Sequence, residues 1–387
     1  MMQTRRAVTL GLMASTLAAC GGTRIPVAQT SSPAARPAEP PPMPTQPNAG
    51  WDAWVASYRS RALNSGISAS TFDSAFSRAG FIPGVIERDR SQTEFTRTLE
   101  DYLAIAASDA RIATGRAELA NRASLMAEIE ARFGVERQVF TAIWGLESQY
   151  GTRMGNIPVV SSTSTLAYEG RRGQFFEQQL TAALKILQNG DTTPDRMVGS
   201  WAGAMGHTQF IPTSYELYAV DFRGDGRRDI WSADPTDGLA SAAAYLANAG
   251  WQRGLPWGAE VGTAAASGLS GDTIRPQPGG PAFIVTRNFR VIKRYNNSDL
   301  YAIGVGHLSD RLVGGPPIQA AFPPDANGLT KDMRIELQQR LTAAGYDTQG
   351  ADGVIGTNTR TAISAYQAAS GLPVTGEPSV DLLNRLR

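Results

Sequence analysis

Residues Glu136–Tyr150 read ERQVFTAIWGLESQY. Wound as a helix at about 100° per residue, the stretch puts Val139, Ile143, Leu146 and Tyr150 on one side, with Phe140 and Trp144 flanking them. Glu147 falls between Ile143 and Phe140, inside the apolar arc. Its carboxylate is therefore aimed at an interior or a cleft rather than at bulk water. A carboxyl desolvated by aromatic and aliphatic neighbours has a raised pKa, and can stay protonated near neutrality and give its proton to a leaving oxygen. The alternative is a buried glutamate paired with an arginine, Arg153 or Arg171, and the helical pattern alone does not choose between them.

The surrounding chain has 387 residues, 42% of them apolar and 18% charged, with a formal net charge of +1. That is enough for two or three domains of soluble globular type. No dense Lys/Arg run is present, so no nucleic-acid partner is expected. The two histidines, His207 and His307, and the single cysteine, Cys20, cannot build a Cys/His zinc cluster. A thiol protease would need its cysteine inside the folded body. A Ser-His-Asp triad would have to run through one of the two histidines, neither in a recognisable setting.

The N-terminus, MMQTRRAVTLGLMASTLAAC, has Arg5 and Arg6, a short apolar run and then small residues ending at Cys20. The run from Ala7 to Ala19 is too short to cross a bilayer as a helix. Leu17-Ala18-Ala19-Cys20 resembles a bacterial lipobox, with Cys20 as the acylated residue, and acyl chains there would anchor the mature chain. Gly21 rather than Asp follows, which by resemblance to enterobacterial sorting signals favours the outer membrane. With no second cysteine, no disulfide forms within the chain in an oxidising envelope.

Residues 21–48, with TSSPAARPAEPPPMPTQP, form a Pro/Ala-rich tether. From Trp51 the pattern is helical: WDAWVASYRSRALNSGIS and ANRASLMAEIEARFGV carry apolar residues at three- and four-residue spacing, and SQTEFTRTLEDYLAIAA does so less cleanly. AFIVTRNFRVIKRY (282–295) is the best strand candidate. The spacing predicts a mainly α body over 49–313 with a small β element, a linker over 314–328, and a compact three-helix unit over 329–387. The three helices carry Leu337 and Leu341, then Ala362, Ile363 and Tyr366, then Leu382, Leu383 and Leu386, with Thr357 or Asn358 capping the second.

Two further clusters surround the Glu147 motif. GSWAGAMGHTQFIPTSY (199–215) has glycines and alanines that let backbone approach a ligand closely, then Gln209 and Phe210, an amide and a ring suited to a sugar. A structural turn is the competing reading. RVIKRYNNSDLYA (290–302) places Tyr295 and Tyr301 about Asn296.

WGLESQYG, GAMGHTQFIPTSY, DFRGDGRRDIW and KRYNNSDLYA occur in the order and approximate spacing of the lytic murein transglycosylase B family, which residues 51–311 resemble. DGVIGTNTRTAISAYQ resembles the three-helix peptidoglycan-binding module found on wall enzymes. The resemblance implies a lysozyme-like helical catalytic domain with Glu147 as its catalytic acid and base. It also implies cleavage of the MurNAc-GlcNAc β-1,4 bond with closure of a 1,6-anhydro ring rather than hydrolysis. Ser200, Gln209, Phe210, Tyr245, Tyr295 and Tyr301 match family positions lining the glycan cleft, as does Tyr102 less closely. The implied partners are peptidoglycan strands and, through Cys20, the membrane; a monomer on the periplasmic face of the envelope is expected. Two other readings stay open: a non-catalytic wall-binding scaffold that kept the fold, and a muramidase that uses water.

The family often carries an EF-hand-like calcium loop at DFRGDGRRDIWSADPTDG (221–238). Asp221 and Asp225 match its first and fifth positions and Asp237 is a distant third ligand, but Arg223 stands where an oxygen is needed. No cofactor is therefore expected; the competing reading is a metal-free Gly-Asp turn in which Arg223 pairs with an aspartate.

Overall fold

A computed structural model describes residues 43–91 and 98–387. Cys20, the apolar leader and most of the Pro/Ala-rich tether lie outside the described residues. Within them the fold is mainly helical. Helices α1 (Ala49–Asn64), α2 (Ala69–Phe76) and α3 (Pro83–Arg90) lead to α4 (Leu99–Ala106), α5 (Asp109–Asn121), α6 (Ala123–Phe133) and α7 (Arg137–Ser148). Strand β1 (Ile157–Pro158) precedes α8 (Val159–Glu169) and α9 (Gly173–Gln188), and β2 (Val198–Gly199) precedes α10 (Pro212–Tyr218) and α11 (Thr236–Asn248). Strands β3 (Gly258–Glu260), β4 (Asp272–Ile274) and β5 (Phe283–Val285) form an antiparallel sheet in the order β3-β5-β4. Helices α12 (Arg287–Tyr295) and α13 (Asp299–Leu312) complete the body, and α14 (Lys331–Ala343), α15 (Thr357–Ala369) and α16 (Val380–Leu386) form the C-terminal unit.

The expected strand over 282–295 is divided. Phe283–Val285 is a strand, but Thr286 caps a helix by accepting from the Asn288 amide, and the remainder is α12. Val291 and Ile292 are buried while Arg290 and Arg294 are exposed, so the apolar residues follow a helical face rather than a strict alternation. The three C-terminal helices lie where their leucines place them, around Leu329, Leu337, Leu341, Ile363 and Leu383. The cap of α15 is the Gly356 backbone, not Thr357 or Asn358, which are its first two residues.

Two apolar clusters organise the catalytic body. One joins α5, α6, α7, α11, α12 and α13 through Phe140, Ile143, Trp144, Leu246, Ile292 and Ile303. The other joins α1, α2, α8 and α9 through Tyr58, Phe72, Val160 and Leu184, and includes Met205 and Phe210 of the glycine-rich segment. Tyr295 and Tyr245 touch both, so the ground between the clusters is aromatic.

The stretch expected to be a free linker is a strap laid on the body. The Glu260 carboxylate accepts from the backbone amides of Gln319 (2.8 Å) and Ala320 (2.6 Å). Ile318 and Phe322 pack on the first cluster. Beyond the strap, Arg334 of α14 is only 3% exposed and pairs with Glu100 (2.7 Å) and Asp101 (3.0 Å) in the first turn of α4.

Candidate active site

Helix α7 ends immediately after Glu147. Gln149 (φ 49°) and Tyr150 (φ 57°) are both left-handed, a conformation side chains other than glycine seldom adopt. Such backbone persists where its surroundings fix it. Here the Tyr150 ring is buried against Trp144 at a centroid distance of 5.5 Å, and its hydroxyl donates to the Arg111 carbonyl at 2.9 Å. The reversal holds Glu147 in the last turn of α7, beside the first residues of α5.

A cavity of about 260 Å³ opens there, walled by Tyr102 of α4, Arg111 of α5, Leu146 and Glu147 of α7, Asn296, and Tyr301 of α13. Ser298 caps α13 by accepting from the Tyr301 amide, which sets Tyr301 in the first turn with its ring facing α7. The Tyr301 hydroxyl donates to Glu147 Oε1 at 2.6 Å. Burial pushes the Glu147 carboxyl up from 4.5 to about 7, while the Tyr301 hydrogen bond pulls it down by stabilising the charged form. Burial also holds the Tyr301 phenol far above 10, so Tyr301 is a neutral donor.

Neither arginine considered as a partner reaches Glu147. Arg171 is spent on Asp89, 2.6 Å away. Among the described residues Arg153 has no side-chain ion pair, and Glu147 has only Tyr301. The carboxyl is thus a desolvated acid with one hydrogen-bond donor, not half of a buried ion pair.

The remaining cleft residues separate into groups. Tyr102 and Tyr301 line the Glu147 cavity. Tyr295 stacks on Tyr301 at 6.5 Å, and its hydroxyl donates to the Thr208 carbonyl at 2.6 Å. Tyr245 follows at 4.9 Å from Tyr295, and donates to the Arg294 carbonyl. Phe210 is buried at 2% exposure beneath Tyr245 and Tyr295, where no sugar face can reach its ring. It is the floor supporting the tyrosines.

Gln209 has φ 52°, and its amide nitrogen donates to the carbonyls of Met154 (3.0 Å) and Gly206 (2.9 Å), so its donors hold the loop. Ser200 is half-buried, its hydroxyl accepting from the Ala204 amide. The small residues of this segment bring backbone against backbone: a Cβ on Gly199 would overlap the Ala204 carbonyl, and one on Gly155 would overlap Gly199.

His207 welds the same segment to α7. Trp144 Nε1 donates to its Nδ1 (3.1 Å), its Nε2 donates to the Ser232 carbonyl (2.8 Å), and Ser148 donates to its backbone carbonyl (2.6 Å). Both ring nitrogens of His207 are committed, so it cannot serve as the base of a serine. Arg111, Ile105 and Ala106 carry no signal in the sequence, and Leu146 shows there only as part of the apolar side of α7. Arg111 lies 36 positions before Glu147, and no local pattern links them.

In the 221–238 loop the three candidate aspartates accept from backbone amides. Asp221 accepts from the amides of Gly224, Asp225 and Gly226, Asp225 from Arg227, and Asp237 from Phe222 and Asp229. Arg223 leaves the loop to pair with Glu128 at 2.5 Å, not with an aspartate. A cation site needs those oxygens directed at one point. Among the described residues no cluster of three such ligands exists, and the residues present do not fit calcium.

Residues 50–273 and 267–310 match the family model described as a transglycosylase SLT domain. The chain belongs to the transglycosylase SLT domain family. Residues 330–386 match a putative peptidoglycan binding domain. This SLT-domain chain is 32% identical over 211 residues to membrane-bound lytic murein transglycosylase B of Escherichia coli, covering 47% of the chain and 58% of that relative. It is similar to SltB3 of Pseudomonas aeruginosa, solved with NAG-anhNAM-pentapeptide: 45% identity, 88% of this chain and 100% of that one, TM-score 0.69. SltB1 of the same organism is 28% identical over 67% of this chain and 97% of its own, TM-score 0.59.

Proposed function

We propose that this chain is a lytic transglycosylase of peptidoglycan, cutting the MurNAc-GlcNAc β-1,4 bond with formation of 1,6-anhydromuramoyl ends. The observation that carries the reading is Glu147 itself, the one carboxylate among the described residues that line its cavity. Ordinary glycosidases use two flanking carboxyl groups, one to protonate the leaving oxygen and one to attack or to activate water. A single acid near neutral pKa can serve both halves of an intramolecular displacement.

Protonated Glu147 gives its proton to the glycosidic oxygen as the C1–O bond breaks. The carboxylate so formed takes the proton of the muramoyl C6 hydroxyl as O6 closes on C1. Glu147 ends protonated as it began, no water is consumed, and the products are a free GlcNAc 4-hydroxyl and an anhydro ring. Tyr301 donates to the carboxylate in the intermediate state, where charge on Glu147 is greatest.

Mass spectrometry of fragments released from purified peptidoglycan tests this. Anhydro ends, lighter by one water than hydrolytic reducing ends, are expected. Glu147→Gln should lose about two to four orders of magnitude in release while keeping sacculus binding, because the amide can neither give nor take the proton. Reducing ends in place of anhydro ends would favour a muramidase, and release by the variant at the native rate would favour a different catalyst.

The chain works at the envelope surface, tethered by acylated Cys20 and holding peptidoglycan strands through its C-terminal unit. No described helix is long and apolar enough to cross a membrane. Cys20→Ala should move the protein from the membrane pellet to the soluble fraction. A variant that stays in the pellet would mean another anchor.

A further inference from the structure

Arg111 walls the Glu147 cavity on one side and a second cavity of about 240 Å³ on the other. Among the described residues the second cavity is lined by Ser108, Arg111, Thr114, Gln149 and Thr152, with no carboxylate. Arg111 is half-buried, and among the described residues its one polar side-chain contact is donation to the Ile105 carbonyl at 2.5 Å. Among the described residues no carboxylate pairs with it.

The guanidiniums of Arg334 and Arg228, by contrast, have carboxylate partners: Arg334 has Glu100, Asp101 and Asp325, and Arg228 has Asp191. Burial disfavours the Arg111 charge, and the cation of Arg153, three residues past Tyr150, opposes it further. A partly desolvated cation without a counter-charge costs stability unless an anion joins it.

The placement of Arg111 is fixed by the catalytic helix itself. The left-handed turn after Glu147 directs the Tyr150 hydroxyl to the Arg111 carbonyl, so the guanidinium and the acid are set by one element. A ligand whose reacting sugar lies at Glu147 would extend its substituents past Arg111 into a polar, cationic, hydroxyl-lined recess.

We propose that this second cavity is an anion subsite, in which Arg111 binds a free carboxylate of the peptide carried on the lactyl group of the substrate sugar. The inference rests on the transglycosylase reading, since it supplies the sugar at Glu147. On intact strands the lactyl carboxyl is itself an amide, so the free carboxylates are those of the peptide. Guanidinium binds such a group through paired N–H donors, and the Ser108 hydroxyl, which accepts from the Arg111 amide and keeps its own proton to donate, can satisfy a further lone pair.

The test uses the full-length protein and synthetic glycan oligomers bearing stem peptides, with their carboxylates either free or fully amidated. The native protein should show a kcat/KM about tenfold or more higher on the free-acid substrate, as expected for a charge-assisted hydrogen bond. Arg111→Gln should bring the ratio of the two substrates close to one, and Arg111→Lys should retain part of the preference. Equal rates by the native protein on the two substrates, or an undiminished ratio in Arg111→Gln, would overturn the subsite. A native protein that cuts both substrates yet leaves no anhydro ends would overturn the transglycosylase reading instead.

Discussion

Glu147 carries a measurable cost as well as a function. Its folded pKa of about 7 lies above the 4.5 of an exposed glutamate. Between these values the folded chain binds a proton that the unfolded chain has lost. The stability from neutral Glu147 is therefore full below 4.5 and is lost as pH rises through about 7, by at most on the order of 3 kcal/mol. The same titration sets the alkaline limb of the rate, since the first step requires the protonated acid. Tyr301→Phe removes the one hydrogen bond that favours the charged form. The limb should then move to higher pH while kcat falls, because the carboxylate formed in the first step has lost its donor. A kcat–pH profile for the two proteins checks this, and a limb moving to lower pH would show that Tyr301 does not donate to the carboxylate.

At the scale of elements, the 221–238 loop and the glycine-rich 199–210 segment have a common character: polar or small residues that resemble ligand sites satisfy backbone instead. Asp221 alone takes three backbone amides. Calcium would have to displace these bonds and overcome the Arg223 charge. Since a ligand stabilises in proportion to the logarithm of its concentration over its dissociation constant, millimolar calcium against chelator should leave the melting temperature within about a degree. Arg223→Asn should gain a calcium response only if Asp221 and Asp225 turn from the amides to the ion. A large calcium-dependent rise in the native protein would mean that the amides are exchanged readily.

Across the whole molecule, the C-terminal unit is seated on the catalytic body by charge. Arg334 bonds inward to the carbonyls of Gly353 and Leu329, and outward to Glu100 and Asp101. These acids begin α4, the helix that carries Tyr102 into the Glu147 cavity. Replacing Arg334 would damage the unit's own fold. Glu100→Gln with Asp101→Asn removes only the outward half. That pair should raise the radius of gyration in small-angle scattering and speed proteolysis of the 314–328 strap, with the unit's own melting preserved. An unchanged scattering profile would show that the strap, pinned by Glu260, is sufficient to seat the unit.

Much was legible in the chain because it depends on local spacing. The helical periods of Trp51–Ser68 and Ala120–Val135, the three leucine-bearing helices of the C-terminal unit, and the inward aim of Glu147 follow from residues within a few turns of one another. Helix propensity and apolar stripes act over such distances, and the structure follows them. Where a short apolar run fitted either period, as in 282–295, tertiary burial decided: the sheet took three residues and a helical face took the rest. The partners of each side chain were decided only by the folded chain. Phe210 became a floor and not a platform, Gln209 a loop clasp, Arg171 the partner of Asp89, and Arg334 a clasp between units. Arg111 came beside Glu147 because a strained turn and one tyrosine hydroxyl draw α5 to the end of α7. Hydrogen bonds and ion pairs act between neighbours in space, and the sequence lists neighbours along a line; the path that converts one into the other is the fold itself.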